Sequence, residues 1–238
     1  MHFKSTGLVG NGKWGKILKE KIKTNSNLIF TANSKSKYFK KITQLDWIFI
    51  ATPDSTHYKI VNKCLDKKIN IFCEKPLTKT YSQSLKLFEK AKKNKVNLYV
   101  DQIQCFVNKK VKINKNNYIT RQKKGYGNIK NLLFRFAYHD FYFLYDNLKN
   151  KKIKNIKIIN IRDNLKFKIN FEKVSILFHY NLNSEKRIHK INSTNFITKK
   201  DILSKMIKDV LNEKVDFEDN KNRSLFANKL IDKVIKQI

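Results

Sequence analysis

The chain has 238 residues, and its 52 lysines and arginines against 19 acids give a formal net charge of +33. With 41% hydrophobic and 12% aromatic residues it can bury a real core, which excludes wholesale disorder. No apolar run approaches the roughly 18 residues of a membrane span, the start MHFKSTGLVG is not a secretory leader, and three cysteines without a CxxC argue against a disulfide framework or a cysteine metal site.

The expected setting is therefore reduced and cytoplasmic, with no metal and no membrane partner. The charge invites a nucleic-acid reading, but only five of the basic residues are arginine, the side chain suited to bidentate recognition of bases and phosphates. The lysines run along the whole chain with no basic tail or isolated patch. They read as a solvated surface, and nucleic acid is not an expected partner.

The first hundred residues alternate between strand-like and helix-like runs. Phe3 to Val9 reads as a strand, and Trp14, Ile17, Leu18 and Ile22 then recur at helical spacing. Strands follow at Leu28 to Ala32 and Trp47 to Thr52. A helix over 55–67 carries His57, Ile60, Val61, Cys64 and Leu65 on one face. Ile69 to Cys73 is a strand, Thr78 to Asn94 a helix and Val96 to Val100 a strand. Strands alternating with helices imply parallel β-α-β units, buried on both faces, in an open doubly wound sheet.

The first turn of this run is Gly10-Asn11-Gly12-Lys13-Trp14-Gly15, a GxGxxG that follows a strand and opens a helix. Gly10 permits the tight turn, Gly12 lets a pyrophosphate approach the backbone, Gly15 allows close helix–strand packing, and the helix N-terminus supplies amide donors. In this context the motif predicts a dinucleotide. After the second strand, where an acid would bind a ribose 2′-hydroxyl, stand Asn33, Ser34 and Lys35, with Lys37 beyond. Small polar groups and lysines there favour NADP over NAD.

Two further motifs lie at later strand ends: Ala51-Thr52-Pro53-Asp54-Ser55-Thr56-His57 and Glu74-Lys75-Pro76. With GNGKWG, these AxPxxxH and EKP motifs resemble the Gfo/Idh/MocA oxidoreductases (glucose–fructose oxidoreductase, inositol dehydrogenase and relatives) over residues 1–100. The resemblance implies that Ala51, Thr52, Pro53 and His57 line the nicotinamide and its ribose. It implies that Glu74 anchors the turn and that Lys75 acts on the substrate hydroxyl or carbonyl. A lysine beside a positively charged nicotinamide has its ammonium form disfavoured, which helps it accept a proton. For His57 the residues alone leave open a buried histidine at a helix start.

Residues 101–128 begin with DQIQCF, similar to the family's crossing segment, in which Asp101 or Gln102 meets nicotinamide or substrate. A polar, lysine-rich stretch and a Gly125-Tyr126-Gly127-Asn128 turn follow. Ile129 to Phe136 reads as a strand, and FYFLYDNL as a helix. His139-Asp140 matches the family's HD pair, which implies that His139 binds the reacting hydroxyl, with Asp140 beside it. Four residues earlier, where the family often has an acid, stands Arg135. A cation there lowers the histidine's proton affinity and suits an anionic substrate group.

Five short strands are expected over residues 153–200, then amphipathic helices over 202–212 and 222–238. His179 and His189 read as ordinary sheet residues. In the family such a sheet often forms the subunit contact, and the last helix packs back toward the cofactor domain. The chain is shorter than typical members, which places the missing length in the second domain.

The expected fold class is thus α/β: a Rossmann domain over 1–102 with a doubly wound parallel sheet, then a smaller α+β domain over 103–238 with a mostly antiparallel sheet and C-terminal helices. The expected function is an NAD(P)-dependent oxidoreductase acting on a sugar, inositol or nucleotide sugar, working as a homodimer. The alternative is a degenerate relative that binds cofactor without turnover.

Overall fold

The computed structural model describes residues 3–33, 36, 42–125, 128–162, 164–198 and 200–238. The chain divides into two compact units. The first comprises Met1–Phe106 and Asp201–Asn228, the second Val107–Lys200 and Lys229–Ile238.

In the first unit the elements are β1 (Ser5–Val9), α1 (Lys13–Lys23), β2 (Asn27–Ala32), β3 (Trp47–Ile50), α2 (Asp54–Asp66), β4 (Asn70–Cys73), α3 (Tyr81–Asn94) and β5 (Leu98–Val100). The five strands pair in the order β2-β1-β3-β4-β5, all parallel. The short, apolar β3 and β4 are the central strands that such burial demands. Their rings pack across the sheet, Phe49 on Phe72 at 4.9 Å and Phe72 on Tyr99 at 5.6 Å between centroids.

The helices α7 (Ile202–Leu211) and α8 (Phe217–Ile235) follow the second unit in sequence. Leu203, Met206, Ile207, Val210 and Leu211 of α7 join Leu8, Leu18, Ile22, Trp47, Phe49, Phe72 and Tyr99 in one core. From α8, the Asn220 side chain accepts from Val100 N–H and donates to Val100 C=O, both at 2.9 Å. An amide thus stands where a further strand would pair with β5, which closes that edge of the sheet. The expected boundary at residue 102 therefore omits α7 and the first turns of α8 from the unit they complete.

The second unit holds β6 (Asn116–Lys124), α4 (Ile129–Leu132), a π-helical turn (Leu133–Ala137), α5 (Tyr138–Phe143), α6 (Tyr145–Leu148), β7 (Ile153–Asn160), β8 (Leu165–Phe171), β9 (Val174–Asn181), β10 (Asn183–Ile191) and β11 (Thr194–Asn195). Its sheet has the order β11-β10-β6-β9-β8-β7, with β6 parallel to β9 and the other pairs antiparallel. The alternation in LKFKINF turns Leu165, Phe167, Ile169 and Phe171 inward. Phe141 of α5 meets Phe178 edge-on at 5.3 Å, and Phe178 stacks on Phe167 at 4.8 Å.

One expectation is corrected in this unit. Ile129 to Phe136 is helical, not a strand: its apolar run packs as α4 and the π-turn, with Leu132, Leu133, Phe134 and Phe136 buried. The lysine-rich stretch before it contains β6, an interior strand paired on both sides. Among the described residues, no helix is long and apolar enough to cross a membrane.

The clamp at Asn220 is testable. Asn220→Ala leaves two buried groups of Val100 without partners, and urea unfolding should show a loss of about 1–3 kcal/mol for each orphaned group.

Candidate active site

The carboxyl ends of the parallel strands are stitched into one row. Gly10 N–H donates to Ala32 O, Ala51 N–H to Val9 O and Glu74 N–H to Ile50 O, each at 2.8 Å, and Asp101 N–H donates to Cys73 O at 2.9 Å. The three motifs therefore stand side by side along one sheet edge. Because β2 and β3 flank β1 on opposite sides, the chain changes direction between β1 and β3, and open α/β sheets take ligands at such a switch point.

The glycines at that point divide into two kinds. Gly10 has φ +131°, and a Cβ on it would lie 2.3 Å from Ala51 O. A Cβ on Gly15 would lie 2.1 Å from Gly10 O. Both are required by the protein's own packing. A Cβ on Gly12 would meet nothing within 4 Å. Gly12 is the N-cap of α1 with no side-chain cap bond, so open space lies before free helix amides. A pyrophosphate fits that cradle sterically and electrostatically. Asn11, Lys13 and Pro53 are exposed around it, Ala51 is half-buried and Thr52 is buried. Thr56 Oγ1 lies 2.7 Å from Thr52 Oγ1. Asn33 is exposed just past β2, while Ser34, Lys35 and Lys37 lie outside the described residues.

His57, expected to line the nicotinamide, has a different part. It is buried, with Nδ1 2.8 Å from Pro76 O and Nε2 2.9 Å from Thr52 O. The ring is taken up in joining the turn after β3 to the turn after β4. Burial lowers its pKa, against the opposing pull of these two carbonyls.

The acid of the EKP motif sits in a buried cluster. Trp14 Nε1 donates to Glu74 Oε1, and Glu74 is hydrogen-bonded in turn to Asp101. Both carboxyls are buried, and Asp101 also accepts from Ile103 N–H at 2.9 Å. Burial, then the neighbouring Asp101, pushes Glu74 well above the usual carboxylate range. Burial raises Asp101 too, but the hydrogen bonds from Ile103 and Glu74 oppose it. Glu74 therefore keeps the proton that joins the pair. The half-buried Lys75 favours the charged form of both acids. The motif singled out Glu74 and Trp14; the pairing of Glu74 with Asp101, 27 residues downstream at the end of the adjacent strand, has no local signal.

In the second unit, Arg135 lies on the π-turn and His139 on α5, both half-buried. Asp140, expected to meet substrate, is fully buried and engaged within the protein. Arg121 Nε lies 2.9 and 3.0 Å from its two oxygens and Nη2 2.7 Å from Oδ1. Tyr180 OH donates to Oδ2 at 2.9 Å, and His189 Nε2 lies 3.1 Å from Oδ1. Burial would raise the carboxyl, but Arg121 and His189 outweigh it and hold it below its ordinary range. Burial and then Arg121 push His189 down to about 4, so His189 is a neutral donor. Asp140 ties β6, β9 and β10 to α5, which corrects its expected role. Arg121, its main partner, was hidden in the lysine-rich stretch.

Residues 7–102 match the family model described as oxidoreductase family, NAD-binding Rossmann fold, GFO_IDH_MocA. An uncharacterised oxidoreductase of Schizosaccharomyces pombe is 33% identical over 64 residues, which is 27% of this chain and 17% of that protein. The chain thus matches about a sixth of that relative's length. Among the solved structures that share the fold are two dehydrogenases. The UDP-N-acetylglucosamine 3-dehydrogenase GnnA of Acidithiobacillus ferrooxidans superposes with a TM-score of 0.84 at 13% identity, covering 98% of this chain and 97% of the other. The WlbA (WbpB) dehydrogenase of Thermus thermophilus, solved with NAD and UDP-GlcNAcA, gives 0.74 at 12% identity, covering 96% and 94%.

Two substitutions test the buried carboxyls. Because the folded pKa of Glu74 is raised, the folded chain binds more protons than the unfolded one above the ordinary carboxylate pKa. Stability must then fall as pH rises through the window up to the folded pKa. Glu74→Gln can accept from Trp14 and donate to Asp101 but cannot ionise, so thermal melts between about pH 5 and pH 9 should show a flatter profile. Asp140→Ala strands a buried guanidinium and should cost about 3–5 kcal/mol in urea unfolding at neutral pH. Residues 7–102 carry the NAD-binding Rossmann fold of the Gfo/Idh/MocA oxidoreductase family, the family that the three strand-end motifs resemble.

Proposed function

We propose that this chain is an NAD(P)-dependent oxidoreductase acting on the hydroxyl or carbonyl of a sugar-like substrate, with nucleotide sugars the favoured class. The observation that carries the reading is Gly12: its neighbours need no glycine there, and the space it leaves lies before the open N-terminus of α1. Gly10 and Gly15 shape the turn, and Asn11, Lys13, Trp14, Ala51, Thr52 and Pro53 border it. The absence of an acid after β2, with Asn33, Ser34 and Lys35 in its place, supports NADP over NAD.

A bound nicotinamide supplies the hydride acceptor or donor. The chain's own task is to manage the proton at the substrate oxygen, and Lys75 Nζ is the group assigned to it. Glu74 holds the turn that aims Lys75, through its bonds to Trp14 and Asp101. A protonated Glu74 does this without setting a full second negative charge beside the lysine. His139, through its match to the family's HD pair, contributes to holding the reacting hydroxyl. A homodimer through the exposed face of the six-stranded sheet and a cytoplasmic setting complete this reading.

Arg135 supports a second reading. A cation four residues before His139, where a helper acid is expected, suits a relative that binds cofactor without turnover.

Fluorescence titration with NADH and NADPH, followed by assays on nucleotide sugars and polyols, separates the two. Gly12→Ala should change stability by less than about 1 kcal/mol while weakening cofactor binding about tenfold or more. Lys75→Met should keep cofactor binding and lower kcat by about a hundredfold or more. Tight cofactor binding with no turnover of any substrate, and no effect of Lys75→Met, would favour the second reading; failure to bind either cofactor would defeat both.

A further inference from the structure

The sheet of the second unit directs three polar side chains at one carboxylate. His189 of β10 lies opposite Arg121 on one side, and Tyr180 of β9 lies opposite it on the other. One row across three adjacent strands thus supplies the donors, and Asp140 of α5 accepts from all of them. Arg121 alone reaches both carboxylate oxygens.

Such a network is not the cheapest way to hold a helix. Well-packed apolar side chains of similar volume often hold a buried site as firmly as an ion pair, because the ion pair must first repay its desolvation. What the ion pair adds is direction. A guanidinium fork meets a carboxylate in one plane, whereas apolar burial is non-directional. The helix that carries Asp140 needs that direction. It has six residues, too few to be held by propensity. The π-turn before it interrupts the regular ladder, with Tyr138 N–H donating to Leu133 O, five residues back. Phe141 supplies an apolar contact with Phe178, and Asp140 supplies the bonds that fix the rotation of α5 about its axis.

His139 directly precedes Asp140 and is half-buried, whereas Asp140 is fully buried. Successive helical residues stand about 100° apart around the axis, so a carboxylate locked on one side sets the side on which its neighbour stands. We propose that Arg121, Tyr180 and His189 are positioning residues, which act through Asp140 to fix the rotation of α5 and with it the placement of His139 against the substrate hydroxyl. The proposal rests on the reading of His139 as a holder of that hydroxyl. The network need not touch substrate; its effect reaches the reaction through one helical turn.

Two readouts on the full chain test this. Histidine ring NMR, with each ring assigned by substitution, reads the placement of His139 without any substrate. Tyr180→Phe keeps the ion pair and removes one donor, and Arg121→Lys keeps the charge and loses the fork. Each should shift the His139 ring signals and leave those of His57, in the other unit, unchanged. Ile169→Val thins the same core at a position outside the network and should leave His139 unshifted, which separates placement from a mere loss of stability. The second readout is turnover of UDP-glucose and of the other nucleotide sugars and polyols. Tyr180→Phe should lower kcat by between about tenfold and a hundredfold, with the KM for cofactor unchanged, and Ile169→Val should lower neither. His139 signals that stay in place in both network variants would overturn the proposal, and so would a kcat that both leave unchanged. Shifted His139 signals in a chain that turns over none of these substrates would support the placement of His139 and count against the oxidoreductase reading alone.

Discussion

Gly10 is pressed so tightly between two backbone segments that only a hydrogen atom fits on its Cα. One neighbour is the carbonyl at the end of β3, and the other side is closed by α1 through Gly15. This contact brings the first helix down onto the strand ends. It points the free amides of α1 past Gly12 and carries Trp14 within reach of Glu74, the first residue after β4. The geometry of the cofactor edge therefore follows from two backbone approaches, and the side chains there are arranged around them.

The two units bury carboxyl groups in opposite ways. At the strand ends of the first, Glu74 and Asp101 face each other and share a proton, with half-buried Lys75 and Trp14 as their other partners. Within the second, Asp140 is met by a full guanidinium fork and stays ionised. The difference follows from what is buried beside each acid. Without a buried cation the cheaper state is the protonated one, whereas with Arg121 in place ionisation is favoured despite desolvation. The first arrangement keeps a neutral hydrogen-bonded support beside Lys75. The second makes a rigid tie between sheet and helix.

Much of the first unit was legible in the sequence because its signals are local. WIFIAT and INIFC are short, mainly apolar runs of the kind that a two-sided parallel sheet buries, and GNGKWG, AxPxxxH and EKP each sit within one strand-end turn. The second unit was less legible because its determinants are distant. NNYITRQKK is polar enough to read as a loop, yet it pairs on both sides, and its Arg121 is buried against an aspartate 19 residues further on. NIKNLLFRF has the apolar content of a strand but turns as helix over a sheet that had not yet been formed in sequence order. His57 was visible as a motif residue, but its bonds to Thr52 and Pro76 carbonyls belong to two turns that only the fold brings together. The net charge gave no site by itself.

The first unit is discontinuous in sequence, and that has a consequence for how the chain comes into being. Its core needs Leu203, Met206 and Ile207, and its last strand needs Asn220, so residues 1–106 emerge from the ribosome with an unfilled hydrophobic face and an open edge strand. The intervening segment must be synthesised before either gap closes, and such sequence-distant contacts carry a loop-closure cost that slows folding. The cofactor half is thus the first to be translated and among the last to be finished. Its competence to bind depends on a stretch of protein that contributes nothing to the nucleotide turn itself.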